Sequence, residues 1–181
     1  MMSDRLGFYS ASKDVPPGQG ASELVADPGA YAVLASTPGW RQVLSNFDDT
    51  GKFEWNGHTW RSIEHAFQAT KISIVDVGEA LRFTVESGDP LGAGRGLDAR
   101  KARKAVILSP SALSVWDAES AAVMASIAAA KYEQVAAAAA VLRATGDAQL
   151  FHFAGRQLGW VRFAHLEAIR EELNSARRSK K

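Results

Sequence analysis

Glu64, His65, Gln68 and Lys71 fall within one short stretch of the chain, and three of them share a helical repeat. Glu64, Gln68 and Lys71 stand at i, i+4 and i+7, so a helix places an acid, an amide and an amine on one stripe. A carboxylate so placed can act as a general base or steady a developing positive charge. His65, the next residue along, points to another side of the same helix. A solvated surface helix alternates charge in a similar way, so the stripe acquires chemical meaning only from its surroundings.

The elements that must position this stripe are legible nearby. Ser62 can cap a helix running to about residue 75, which puts Glu64 in the first turn, where the positive helix end favours an ionised carboxylate. Just upstream, Phe53–Trp55 and His58–Trp60 flank Asn56 and Gly57, the pattern of a tight hairpin. Residues 7–10 read as an opening strand, 14–20 as turns and 31–34 as a short helix. Downstream, helices are predicted over 77–86, over 98–108 with a stop before Pro110, and over the Ala-rich stretch 118–144, ended by Thr145 and Gly146. In the last helix Leu166, Ile169 and Leu173 make an apolar face. With no internal repeat and no linker, the pattern predicts one α+β domain over residues 1–181, helix-rich around a small β-sheet.

Composition narrows the chemistry. At 181 residues with 46% hydrophobic and 23% charged side chains, the chain can bury a substantial core. It has no cysteine, which removes thiol nucleophiles, thiolate metal sites and disulfides, and fits a reducing cytoplasm. No apolar run approaches the roughly 20 residues of a membrane span, and the N-terminus lacks the features of a secretory signal. The expected location is therefore cytoplasmic. The formal charge of +1 does not advertise a nucleic-acid binder. Two basic clusters, Arg95 with Arg100, Lys101, Arg103 and Lys104, and Arg177 with Arg178, Lys180 and Lys181, can contact phosphate. For the second, a solvated basic tail over 174–181 is the simpler expectation. His58, His65, His152 and His165 lack any compact metal-binding spacing, and no metal or cofactor is expected. Gly92, Gly94 and Gly96 do not complete a dinucleotide fingerprint. They read as a flexible turn or as a phosphate-contacting loop with Arg95 supplying charge.

Several separated segments then agree with one family. Phe8 to Ser10, Leu44 to Phe47, Phe53 to Trp60, Glu64 and His65 with Phe67, Gln68 and Lys71, Trp116 with Asp117, and Ala130 to Tyr132 together resemble the NADAR family, which includes the YbiA-like N-glycosidases. The resemblance spans about residues 8–173. The C-terminal part lacks the Trp-Gly-rich segment and the Gly-x-Asn-x-Leu-Gly motif of the riboflavin-pathway branch, and is more similar to the branch that removes ADP-ribose from guanine.

This resemblance implies a YbiA-like fold and cleavage of an N-glycosidic bond. Glu64 would be the charge stabiliser or base, and Lys71 the second catalytic group, either as an acid or as a nucleophile giving a ring-opened imine. The implied substrate contains ADP-ribose linked to guanine, in DNA or in a free nucleoside or nucleotide, and the implied role is reversal of a toxin-like ADP-ribosyltransferase. Phosphorylated riboflavin intermediates are an alternative substrate class, and a non-catalytic ADP-ribose or NAD-binding module is a different alternative.

Binding roles follow from residue chemistry within that frame. Asn46 suits ribose hydroxyls or a turn; Phe47, Trp60 and Trp116 offer faces for a base, although tryptophans also pack cores. Asp117 can hold a hydroxyl or cap a helix, Lys131 can meet a phosphate or lie in solvent, and His65 can serve the site or the structure. Gln68 and Arg95 complete the expected substrate contacts. No sequence pattern specifies an oligomeric state.

Overall fold

The computed structural model describes residues 3–179. Met1, Met2, Lys180 and Lys181, and with them the start of the chain and the end of the basic tail, lie outside the described residues. In chain order the strands are β1 (Arg5–Phe8), β2 (Phe53–Trp55), β3 (His58–Trp60), β4 (Gln149–Phe153) and β5 (Trp160–Arg162). The helices are α1 (Ala32–Ala35), α2 (Trp40–Val43), α3 (Ile63–Ser73), α4 (Val77–Leu81), α5 (Pro90–Ala93), α6 (Gly96–Ala102), α7 (Pro110–Gln134), α8 (Ala136–Ala144) and α9 (Ala164–Arg178). This is the helix-rich α+β class that the hydrophobic pattern predicts.

Two compact units divide these elements: one joins the residues up to Ser45 to those from Ala136 onward, and the other is Asn46–Val135. In the first, β4 is the middle of a three-stranded sheet, parallel to β1 with Leu6 opposite Leu150 and antiparallel to β5 with His152 opposite Val161. Leu6, Phe8, Leu150, Leu142 and Leu166 are fully buried in its core. Glu167 of α9 fastens helix to sheet, accepting the Leu150 N–H at 2.9 Å and the Arg162 guanidinium at 2.7 Å. Leu166 and Ile169 are buried as the apolar face requires, and Leu173 is half-buried.

In the second unit, β2 and β3 form the expected hairpin, with Phe53 opposite Trp60. Asn56 and Gly57 take φ of 50° and 77°, the left-handed pair that a two-residue turn demands. Helix α3 packs against α4, α6 and α7. Ile63, Ala66, Ile72, Phe83, Ile127 and Ala128 fill the core at 2% exposure or less, and the small side chains of α7 allow close approach.

Several boundaries differ from the pattern-based expectation, each for a local reason. The opening strand is Arg5–Phe8, because its partner β4 sets the register, and β4 and β5 are strands that the sequence pattern does not announce. The helix expected over 77–86 stops at Leu81: Thr84 and Ser87 hydroxyls bond backbone carbonyls, and the Val85 N–H goes to the Thr59 carbonyl. The helix expected over 98–108 is Gly96–Ala102, since Asp98 caps from inside by accepting the Arg95 N–H. The glycine-rich turn holds a helical turn, Pro90–Ala93, capped by Asp89. The Ala-rich stretch is two helices, because Val135 is extended at φ −98° and ψ 92°. Pro110 opens α7 behind a Ser109 cap, as proline at the first helical position can.

Candidate active site

Ser62 closes the start of α3 with an extended backbone and a hydroxyl that accepts the His65 N–H at 3.3 Å. The same hydroxyl lies 2.8 Å from His65 Nδ1, while Nε2 lies 3.1 Å from the Leu91 carbonyl. A carbonyl can only accept, so Nε2 carries the proton and Ser62 donates to Nδ1. Burial holds the His65 pKa below its ordinary value, outweighing the Leu91 carbonyl that raises it. His65 is therefore a neutral, fully buried brace between α3 and α5, the structural alternative of its two sequence readings.

Glu64 is only 4% exposed. Its backbone N–H donates to the Asn46 carbonyl at 2.9 Å, and its carboxylate accepts the Gln68 amide at 2.8 Å. The i, i+4 spacing thus becomes a real contact. Burial pushes the Glu64 carboxyl upward, while the Gln68 hydrogen bond and the fields of Arg100 and Arg103 pull it back. The helix-end argument for a fully ionised carboxylate is opposed here by desolvation, the largest influence.

The amides beside Glu64 have spare capacity. Asn46 is 7% exposed; its Nδ2 reaches only the Met124 sulfur at 3.5 Å, and its Oδ1 has no partner. Gln68 Oε1 is buried and unpartnered too. Idle buried acceptors, one on the residue that donates to the Glu64 carboxyl and one on the residue whose carbonyl holds the Glu64 N–H, favour a guest that brings N–H or O–H groups. Lys71, one turn beyond Gln68, is half-buried and forms no ion pair or side-chain hydrogen bond with another described residue. Lys71 shares the helical stripe of Gln68 and Glu64, and the cations whose fields reach the Glu64 carboxyl are Arg100 and Arg103.

Phe47 is half-buried beside the Asn46 turn, with the Arg100 guanidinium 5.8 Å from its ring centre. The sequence shows Arg100 and Arg103, at the end of α6, only as part of a basic cluster; the packing of α6 on α3 brings their fields to Glu64. The remaining expected contacts lie in the same unit, Trp116 against Phe67 of α3 and Arg95 next to Gly96, which abuts Phe47. Trp60 is 4% exposed and its indole N–H donates to the Trp55 carbonyl at 2.9 Å, a core position. Trp116 is buried with its ring 4.8 Å from that of Phe67. Asp117 is exposed in mid-helix, so it caps nothing, and Arg95 is exposed at the start of α6.

Lys131 corrects both of its sequence readings. It is completely buried, so it is neither solvated nor free to meet a phosphate: Nζ donates to the Asp48 carboxylate at 2.7 Å and to the Asp48 carbonyl at 2.8 Å. Burial pulls its pKa down and Asp48 pulls it up. The pair ties the turn that carries Asn46 and Phe47 onto α7. Asp48 was missed, because a partner 83 residues away leaves no local signal.

Among the described residues, no group of three or more His, Asp or Glu is arranged to hold a metal ion, and no helix is long and apolar enough to cross a membrane. No family model and no curated protein matches the chain. Among solved structures, the chain is similar to the NMR structure of the Escherichia coli protein YbiA, with a TM-score of 0.54 and 23% identity over 99% of this chain and 89% of that one. Likeness at that identity carries architecture alone, and on it the chain has a YbiA-like α+β fold.

Proposed function

We propose that the chain is an N-glycosidase of the NADAR type that removes ADP-ribose from modified guanine, in DNA or in a free nucleoside or nucleotide, within the cytoplasm. The observation that carries this reading is the buried Glu64 carboxyl joined to Gln68, whose own amide oxygen is unpartnered, as is that of Asn46, the residue whose backbone carbonyl accepts the Glu64 N–H. Breaking a bond between an anomeric carbon and nitrogen leaves positive charge on the sugar, and a carboxyl lifted by burial is suited to steady it or to take a proton from water. The Asn46 and Gln68 oxygens accept from sugar hydroxyls. Arg100 and Arg103 supply cations for a diphosphate, and Phe47 a face for a ring.

Lys71 acts in one of two ways. As an acid, it protonates the departing nitrogen while water attacks the anomeric carbon. As a nucleophile, its neutral amine bonds to that carbon as the bond to guanine breaks, and the proton lost from the amine passes to the departing nitrogen. The bond from that carbon to the ring oxygen then opens as the oxygen takes a proton, leaving an imine that water hydrolyses to free ADP-ribose and the amine. In this reading the enzyme reverses a toxin-like transferase and serves as antitoxin or repair factor.

The test is to incubate the protein separately with ADP-ribosylated DNA and with phosphorylated riboflavin intermediates, and to follow products by chromatography. Release of ADP-ribose with restored guanine supports the proposal. Cleavage of the riboflavin intermediates alone moves the substrate assignment, and binding of ADP-ribose without turnover of either removes the enzymatic reading. Borohydride added during a single turnover separates the two roles of Lys71: a trapped adduct on Lys71 requires the imine.

A further inference from the structure

Residues 12–23 are too rich in turns to hold a shape by backbone bonding, yet they are fixed. Arg41, with a nearly buried side chain, donates Nε and Nη2 to Glu23, both at 2.8 Å, and its remaining N–H groups to the Val15 and Pro16 carbonyls. Glu23 in turn accepts the N–H groups of Gly18 and Gly20 at 2.8 Å. A buried pair of this kind is a poor source of net stability, and its usual yield is one defined conformation. Here that conformation is the wall of a cavity of about 370 Å³ within the unit that holds the three-stranded sheet, the size range of small-molecule sites.

The opposite wall is aromatic. Tyr9 and Trp160 meet edge to face at 6.1 Å, and Phe153 backs both rings. Trp160 lies so close over Gly7 that a Cβ there would stand 3.0 Å from the ring, so strand β1 presents a flat floor under the indole. Of the two charged residues lining the cavity, Arg41 is committed to its own loop, and Lys13 is exposed and without an ion pair among the described residues. The Ser12 hydroxyl accepts the Tyr9 N–H at 2.9 Å and keeps its own proton to donate.

We propose that this cavity is a second binding site, for a small aromatic ring that carries an anionic group. The ring stacks against Trp160 and Tyr9, and the anion meets Lys13 and the Ser12 hydroxyl. None of the residues lining the cavity belongs to the Glu64 cluster, and the proposal does not depend on the glycosidase reading.

Phenyl phosphate and benzoate, a phosphate and a carboxylate on flat rings that lack the adenosine and ribose of the proposed glycosidase substrate, are the probes, titrated by ligand-observed NMR against wild type, Lys13→Glu, Trp160→Ala and Glu64→Gln. At least one should bind saturably with a Kd of ~1 mM or below, weakened about tenfold or more by Lys13→Glu and by Trp160→Ala and unchanged by Glu64→Gln. Lys13 is exposed, so its variant keeps the test valid if Trp160→Ala fails to fold. Saturation by one probe only identifies the anion. Absence of saturable binding by both probes, indifference to Lys13→Glu, or loss in Glu64→Gln overturns the site. Base release in the glycosidase assay has no bearing on these outcomes, so the two readings fail separately.

Discussion

Two clusters of buried polar side chains, one in each unit, are built on opposite principles. Every side-chain nitrogen of Arg41 and both carboxylate oxygens of Glu23 have partners, and the loop from Ser12 to Glu23 takes its shape from those bonds. Around Glu64 the amide oxygens of Asn46 and Gln68 have none, and the carboxyl is held in a setting that disfavours its charge. Leaving a buried acceptor unpaired costs about 1–3 kcal/mol. A cluster that only supported the fold would gain by satisfying them, as the first cluster does. On the proposed function, the contrast is between buried polarity used to shape a loop and buried polarity left with capacity for a ligand.

Substitutions can break or sharpen that contrast. Arg41→Met should be the most damaging, since it strands the buried Glu23 carboxylate: a loss of about 3–5 kcal/mol in urea unfolding is expected, and a loss under ~1 kcal/mol would erase the structural half of the comparison. Next is His165, whose buried Nε2 is also unpartnered and whose pKa burial pulls down from 6.5 to about 4. The folded state then binds fewer protons than the unfolded one between those values. Its contribution is complete above pH 6.5 and is lost as pH falls toward 4. Wild type should lose up to about 3 kcal/mol more than His165→Leu between pH 7 and pH 4, read from unfolding at each pH. Equal losses in both proteins would contradict this.

Ser62→Ala removes both the cap of α3 and the hydroxyl on His65 Nδ1, at a cost of about 1–2 kcal/mol in thermal unfolding. The smallest effect has the opposite sign. Burial raises the Glu64 pKa, so the folded state binds the extra proton, and Glu64 weakens the fold once pH rises through its folded value. Glu64→Gln should therefore stabilise the protein at neutral pH by about 0.5–2 kcal/mol, a gain that fades below pH 4.5, the ordinary glutamate value. A destabilised Glu64→Gln would place this carboxyl with the structural cluster.

What the sequence discloses depends on the range of the contact. The Ser62 cap, the Asn56-Gly57 hairpin and the Glu64–Gln68 contact each lie within a few residues, and each was visible as a spacing. Lys131 was noticed as a cation but not as a buried one, because Asp48 is distant along the chain. The same holds for Arg41, whose partners sit 18 to 26 residues upstream, and for β4, whose parallel partner β1 opens the chain. Arg100 and Arg103 were seen as charge without direction; only the packing of α6 on α3 gives them one. Side-chain competition for backbone groups, as at Thr84 and Ser87, likewise shortens a helix that periodicity alone extends.

The most direct test of the Glu64 cluster is single-turnover cleavage of an ADP-ribosylated guanosine by wild type and by Glu64→Gln, with both proteins shown to be folded by circular dichroism. The account predicts a rate ~10²–10⁴-fold lower in the variant, alongside a melting temperature equal to or above that of wild type. Cleavage at the wild-type rate by a folded Glu64→Gln protein would contradict it.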